Sequence, residues 1–110
     1  ETTIINHGEL KFVAKIREAI ENNIANTDFS VEQLSKELSL SRSQLFRKFR
    51  VVFDMKPNEL IRSERLKFAR KLLLEQQYNV NEIAEMSGFS STSYFITAFK
   101  KYFGKTPNEY

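Results

Sequence analysis

The chain repeats itself, and the repeat limits its fold more than any other feature. Val31 recurs as Val80, Leu34 as Ile83, Leu40 as Phe89 and Ser41 as Ser90, at an offset of 49 residues. After one inserted residue the offset is 50: Leu45 recurs as Phe95, Phe49 as Phe99, Phe53 as Phe103, and Pro57-Asn58-Glu59 as Pro107-Asn108-Glu109. Two copies are too few for a solenoid, which stacks three or more units. They fit a motif duplicated within one chain, with a connector between the copies. A chain of 110 residues has room for one domain, or for two very small lobes around a shared element.

Each copy has the pattern of a short helix, a tight turn and a longer helix. Ser30 with Gln33, and Asn79 with Glu82, predict capping boxes that open the short helices. Apolar residues then fall on one side, at 31, 34 and 38 and at 80, 83 and 84. The turns are Ser39-Leu40 and Gly88-Phe89. Gly88 suits a left-handed residue ending a helix, and Ser39 suits it less well. Ser41 with Gln44 caps the longer helix of copy one, whose apolar positions are Leu45, Phe49, Val52 and Phe53. Phe95, Phe99, Tyr102 and Phe103 repeat them. Gly104 closes the second of these helices, and Asp54 holds the same place in copy one, where a left-handed turn is expected.

Pro57 and Pro107 fit the first turn of a following helix, where a missing amide costs nothing. The connector from Pro57 to about Gln76 is apolar on more than one face, through Leu60, Ile61, Leu66, Phe68, Ala69, Leu72, Leu73 and Leu74. A further helix near Leu10 to Ile24 packs on the first lobe, and His7 falls in a frayed terminus. The expectation is an all-α fold of about seven helices. Residues 1–28 form a tail and a packing helix, 29–56 the first helix-turn-helix, 57–78 the connector and 79–110 the second helix-turn-helix.

Composition removes most alternatives. Hydrophobic residues at 41% and charged residues at 28% exclude bulk disorder. With no cysteine and one histidine, thiol chemistry, cysteine-ligated metals and histidine-pair catalysis are excluded. Three glycines and two prolines leave no Gly-rich phosphate loop and argue against an all-β fold. No apolar run spans a bilayer and no signal-peptide pattern opens the chain. Beginning at Glu1 and stopping at Tyr110, it has the look of a cytoplasmic piece of something longer.

A short helix, a tight turn and a second helix with a polar N-terminal half is the layout of a helix-turn-helix, whose second helix enters the major groove of DNA. Charge agrees. The net charge is only +3, but Arg42, Arg47, Lys48, Arg50 and Lys56 face a single acid, Asp54, within residues 41–56. Lys100, Lys101 and Lys105 face none within 91–106, whereas both short helices are acidic. Cations thus gather on the helices that would meet phosphates.

The second copy carries Ile83-Ala84, Gly88-Phe89-Ser90-Ser91, Tyr94-Phe95, Phe99-Lys100-Lys101-Tyr102-Phe103-Gly104 and Thr106-Pro107-Asn108-Glu109-Tyr110. In this combination the chain resembles the DNA-binding domain of AraC/XylS-type transcription activators, over about Phe29 to Tyr110. With Ser41-Arg42-Ser43-Gln44-Leu45-Phe46-Arg47-Lys48 and the helix before it, it is most similar to the C-terminal output domain of hybrid two-component regulators. The resemblance implies two recognition helices in adjacent major grooves. It puts base contacts at Ser43, Phe46 and Arg47, with Arg42 and Gln44 beside them, and at Thr92, Ser93, Ile96 and Thr97. Phosphate contacts fall on Lys48, Arg50, Lys100 and Lys101. It implies no cofactor, no metal and no catalytic residue. The partners would be a double-stranded DNA operator, RNA polymerase, and fused sensor, kinase and receiver domains. This domain would not touch a membrane, although the full-length protein could be anchored in one. The family commonly has a long basic residue where Thr97 stands, and glycines where Ser39 and Asp54 stand.

Two rivals are distinguishable. A helical protein-interaction module would expose an apolar groove instead of basic polar helix starts. A nucleic-acid enzyme would need clustered acids or a nucleophile with its base, and the repeat offers neither. For the DNA reader, a connector of ~30 Å is commensurate with the ~34–36 Å between successive major-groove faces. One monomer would then cover about two turns of an asymmetric site.

Overall fold

The computed structural model describes residues 6–110, and among these the regular elements are all helices. They are α1 (His7–Asn22), α2 (Val31–Glu37), α3 (Arg42–Val52), α4 (Pro57–Glu75), α5 (Val80–Met86) and α6 (Thr92–Phe103). The fold class expected from the repeat is therefore the one found. Six helices are present among the described residues where about seven were expected. The missing one is reduced to a single turn over 107–109, with Glu109 N–H donating to the Thr106 carbonyl at 3.0 Å.

Helix starts follow the polar caps. At Ser41 and Asn79 both halves of the capping box are made. Ser41 Oγ accepts from Gln44 N–H at 3.1 Å, and Gln44 Oε1 accepts from Ser41 N–H at 2.9 Å. At Ser30 only the forward half forms, a long 3.4 Å bond from Gln33 N–H. Asn6 and Glu9 make a further box, so His7, expected in a frayed terminus, is the first residue of α1. The expected tail at residues 1–5 lies outside the described residues.

Helix ends differ more from expectation. The turns after α2 and α5 are equivalent: Leu40 N–H donates to the Ser35 carbonyl and Phe89 N–H to the Ala84 carbonyl, both at 2.9 Å. Ser39 at φ 57° and Gly88 at φ 87° are both left-handed, as their positions required. The inserted residue then falls at Ser90, because the caps of the next helices are Ser41 and Ser91. Gly104 closes α6 in the left-handed region. Asp54 does not do so for α3. That helix stops at Val52 and leaves through an extended Phe53 at φ −125°, an exit that needs no residue at positive φ. The connector helix ends at Glu75, one residue before the expected Gln76, which turns left-handed at φ 57°.

The chain divides into two compact units. The first comprises the described residues up to Asn23 together with Phe29–Leu60. There α2 packs against α1 and α3. The unit buries Ile16 and Ile20 of α1, Leu34 of α2, and Leu45 and Phe49 of α3. The second unit is Ile24–Asp28 with Ile61–Tyr110. Its core joins Leu66, Ala69 and Leu72 of α4 to Ile83, Ala84 and Phe89, and to Phe95, Ala98 and Phe99 of α6. Burying such side chains is worth ~1.5–3 kcal/mol each, which carries a helix as short as α5. Three apolar positions of the sequence pattern are outside the cores: Leu10, Leu74 and Tyr102 are exposed.

Candidate nucleic-acid interface

Helix α3 is anchored on its buried face by Leu45 and Phe49, at 0% and 1% exposure. Helical periodicity then turns Ser43, Arg47 and Arg50 to the opposite side, and all three are exposed. Arg42, Gln44 and Lys48 are exposed beside them, and Phe46 is half-buried. The Arg42 guanidinium lies over the Phe46 ring at 5.0 Å, which holds both side chains together on the first turns of α3. Lys48 Nζ lies 5.9 Å from the Phe12 ring centre on α1. Gln44 has part of its capacity committed, since its carbonyl oxygen caps Ser41. No acid stands in the first turn of α3, and Arg50 stands in the last.

Helix α6 repeats this scaffold with different chemistry. Phe95 and Phe99 are both at 0% exposure and face the core. Ser93, Thr97, Lys100 and Lys101 are exposed, whereas Thr92 and Ile96 are half-buried, Ile96 against the core. The Thr97 hydroxyl donates to the Ser93 carbonyl one turn back, at 3.1 Å. Its one donor is thus committed within its own helix, and its oxygen remains only as an acceptor. Lys100 and Lys101 stand in the last turn, where the helix dipole favours cations.

Tyr94 is exposed beside Ser93 and Thr97 and was absent from the sequence-derived set. Its ring packs on Phe89 at 5.9 Å. Its position, equivalent to Gln44, is the signal that could have found it.

The turn before α6 is held from behind. Arg65 of α4 donates an Nη2 bond of 2.7 Å to the Asn26 carbonyl. A Cβ on Gly88 would fall 2.6 Å from Arg65 Nε and overlap the Ile24 carbonyl oxygen. Burial pushes the Arg65 pKa below its ordinary value, and Tyr94 acts in the opposite sense. At Glu109 the Thr106 backbone N–H and hydroxyl hold the carboxyl below the usual carboxylate range. Among the described residues no group of His, Asp or Glu has the arrangement of a metal site. No helix there is long and apolar enough to cross a membrane.

Similarity to known proteins follows the same elements. Residues 34–110 match a family described as a helix-turn-helix domain, of the AraC type. The chain is 38% identical, over its full 110 residues, to histidine kinase P4 of Formosa agariphila, and covers 8% of that protein. It is 35% identical over 88 residues to the xylose operon regulatory protein of Escherichia coli K12, 80% of this chain and 22% of that one. It thus spans only a small part of these curated relatives. Among solved structures, the C-terminal domain of the two-component response regulator yesN from Fusobacterium nucleatum superposes with a TM-score of 0.84 at 33% identity. That match covers 90% of this chain and 96% of that domain. The DNA-binding domain of AdpA, solved in complex with a target DNA, gives 0.81 at 28% identity, covering 89% and 86%. Because the family match begins at the buried Leu34 and runs through both turns and both exposed helices to Tyr110, the chain belongs to the AraC-type helix-turn-helix domain family.

Proposed function

We propose that this chain is the DNA-binding output domain of a transcription regulator, reading a specific double-stranded operator through α3 and α6 in adjacent major grooves. The observation that carries this is the repeated design of α3 and α6. Each is a capped helix with two core aromatics or aliphatics behind it, an exposed polar face in front and cations in its last turn. The major groove admits one such helix and offers each base pair a distinct hydrogen-bonding pattern. Lys48, Arg50, Lys100 and Lys101 contact phosphates, and binding, not catalysis, is the function assigned. Similarity to a histidine kinase and to a response-regulator domain supports a place at the output end of a two-component regulator. Similarity to the transcriptional activator AggR of Escherichia coli and the virulence regulon transcriptional activator VirF of Shigella flexneri supports activation. RNA polymerase as a further partner and the cytoplasm as the site of action complete the proposed reading.

In this reading the two helices contribute unequally. Arg47 can make a bidentate contact to guanine, worth ~1–3 kcal/mol of discrimination. Thr97, with its hydroxyl turned onto the Ser93 carbonyl, cannot. Selection of bound sites from a random DNA pool, with footprinting, tests this. An asymmetric site of about two turns is expected. Arg47→Ala relaxes preference in its sharper half, and Thr97→Ala changes little. A palindromic site, or sharper preference in the half read by α6, would overturn the assignment.

A further inference from the structure

The basic surface of the first unit does not end with α3. A hollow beside that helix is lined by Lys11, Phe12 and Lys15 of α1, Leu38 and Leu40 at the turn, and Lys48 of α3, with no carboxylate in its described lining. The three lysines are exposed, and Phe12, Leu38 and Leu40 are half-buried. Lys48 is shared between this hollow and the exposed face of α3, where Gln44 and Arg47 are its neighbours. We propose that Lys11 and Lys15 of α1 are phosphate-contacting residues, so that the DNA interface runs from α3 across Lys48 onto α1.

Two features select a sugar-phosphate strand as the occupant. Ammonium groups on long stems are point charges suited to phosphate, and three of them surround one hollow. The floor between them is apolar, which suits the deoxyribose faces of a strand whose phosphates meet the lysines. The track also has an end. Glu18 and Glu37 line the next hollow along α1, together with Lys15, so the surface turns acidic there. The acid nearer the start of α1, Glu9, has one oxygen engaged by the Asn6 N–H at 2.9 Å.

This inference rests on the proposed DNA-binding function, and the test separates the two. The salt dependence of binding is measured for the parent chain, for the double variant Lys11→Ala/Lys15→Ala, and for Lys67→Ala on α4 as a control that removes one lysine charge elsewhere. Each phosphate contact contributes about 0.9 to the slope of log K against log[salt], so the double variant should lose about 2. Between about 50 and 200 mM salt its affinity should then fall roughly tenfold less than the parent's does. The change should be the same on operator and on unrelated DNA, with the Lys67→Ala slope unaltered and the melting temperature of every variant kept. A double variant with the parent slope, while the parent binds DNA, overturns the α1 track alone and leaves the hollow to an acidic peptide. A loss of about 1 in the slope of Lys67→Ala, half that of the double variant for half the charge, also overturns it, as a plain charge effect. A parent that binds no DNA overturns the proposed function, and the track falls with it.

Discussion

The left-handed turns allow a substitution series in which conformation and contact separate cleanly. Gly88 and Gly104 share φ 87°, but their surroundings are opposite. A Cβ on Gly104 would meet nothing within 4 Å, whereas one on Gly88 would overlap the Ile24 carbonyl oxygen and crowd Arg65. Gly104→Ala should therefore cost only the left-handed penalty, ~1–2 kcal/mol. Gly88→Ala should cost the same penalty plus that of forcing packed backbone apart, ~1–3 kcal/mol more. The total, ~2–5 kcal/mol, is a large share of a domain's ~5–15 kcal/mol. Ser39 is the complementary case. It sits at φ 57° with a side chain that pays the penalty, so Ser39→Gly should stabilise the first unit by a few tenths to ~1 kcal/mol, the relief being partly offset by a more flexible unfolded chain.

Urea unfolding of the three variants against the parent reads these differences as midpoint shifts. The decisive comparison is between the two alanines. If Gly88→Ala is no more destabilising than Gly104→Ala, the chain does not approach Ile24 closely at this turn. The packing of the 24–28 segment against the turn before α6 would then be wrong. If Ser39→Gly destabilises, the equivalence of the two turns fails instead.

Truncating the core rings should be severe in both units. Phe49→Ala and Phe99→Ala should each cost ~3–5 kcal/mol. Phe99 should be the worse, because it contacts Phe95, Phe103 and Tyr110 at 5.7, 4.6 and 5.6 Å, while Phe49 stacks on Phe53 at 4.4 Å; melts matching the parent would disprove the helix register. Neutralising Lys100 or Lys101 should weaken binding to all sequences alike and lower the salt slope by ~1. A variant that changes base preference at constant slope would contradict a plain phosphate role. Glu109 should titrate below an ordinary glutamate, because Thr106 N–H and Oγ1 donate to it at 2.9 and 3.0 Å. A depressed carboxyl stabilises above its unfolded pKa and loses that contribution as pH falls through the native one. The turn at 106–110 should therefore loosen only in acid, and Glu109→Gln should remove that dependence; an NMR midpoint at or above the usual glutamate value would refute the bonds.

What the sequence made legible depended on where two signals coincided. Leu45 and Phe49 pair with Phe95 and Phe99 in the repeat and also keep helical spacing, so both their burial and their register could be read. The boxes at Ser41 and Asn79 were equally plain, since a polar cap and its partner three residues on have one local solution. Signals standing alone misled. Leu10, Leu74 and Tyr102 have helical spacing but stay exposed, Tyr102 even with its ring edge-on to Phe103, and periodicity cannot distinguish a core position from a bare one. Asp54 matched Gly104 by alignment only. An extended Phe53 gave the chain a cheaper exit, and that choice rests on tertiary packing. The exposed faces of α3 and α6 could be found, but not the commitment of Gln44 to its cap or of Thr97 to the Ser93 carbonyl, because rotamers are set by three-dimensional neighbours.

Duplication leaves the two halves of this chain with one scaffold and two different outer faces. The residues that build the scaffold face inward, and they are the ones the two copies share in kind: aliphatics in the short helices, aromatics or leucine behind the long ones, a left-handed turn between. The residues that face outward carry no such constraint, since exposed substitutions away from caps and packing cost within about ±0.5 kcal/mol. α3 has used that freedom for arginines, with Arg42 braced on Phe46 and Arg47 at the centre of the face. α6 has used it for a threonine turned onto its own backbone and a pair of lysines in its last turn. Lysine placed there is a charge without a directional fork, so in the proposed reading it adds affinity that any sequence enjoys. In the proposed DNA-binding reading, specificity therefore belongs to the helix whose cations can address base edges, and adhesion to the helix whose cations cannot.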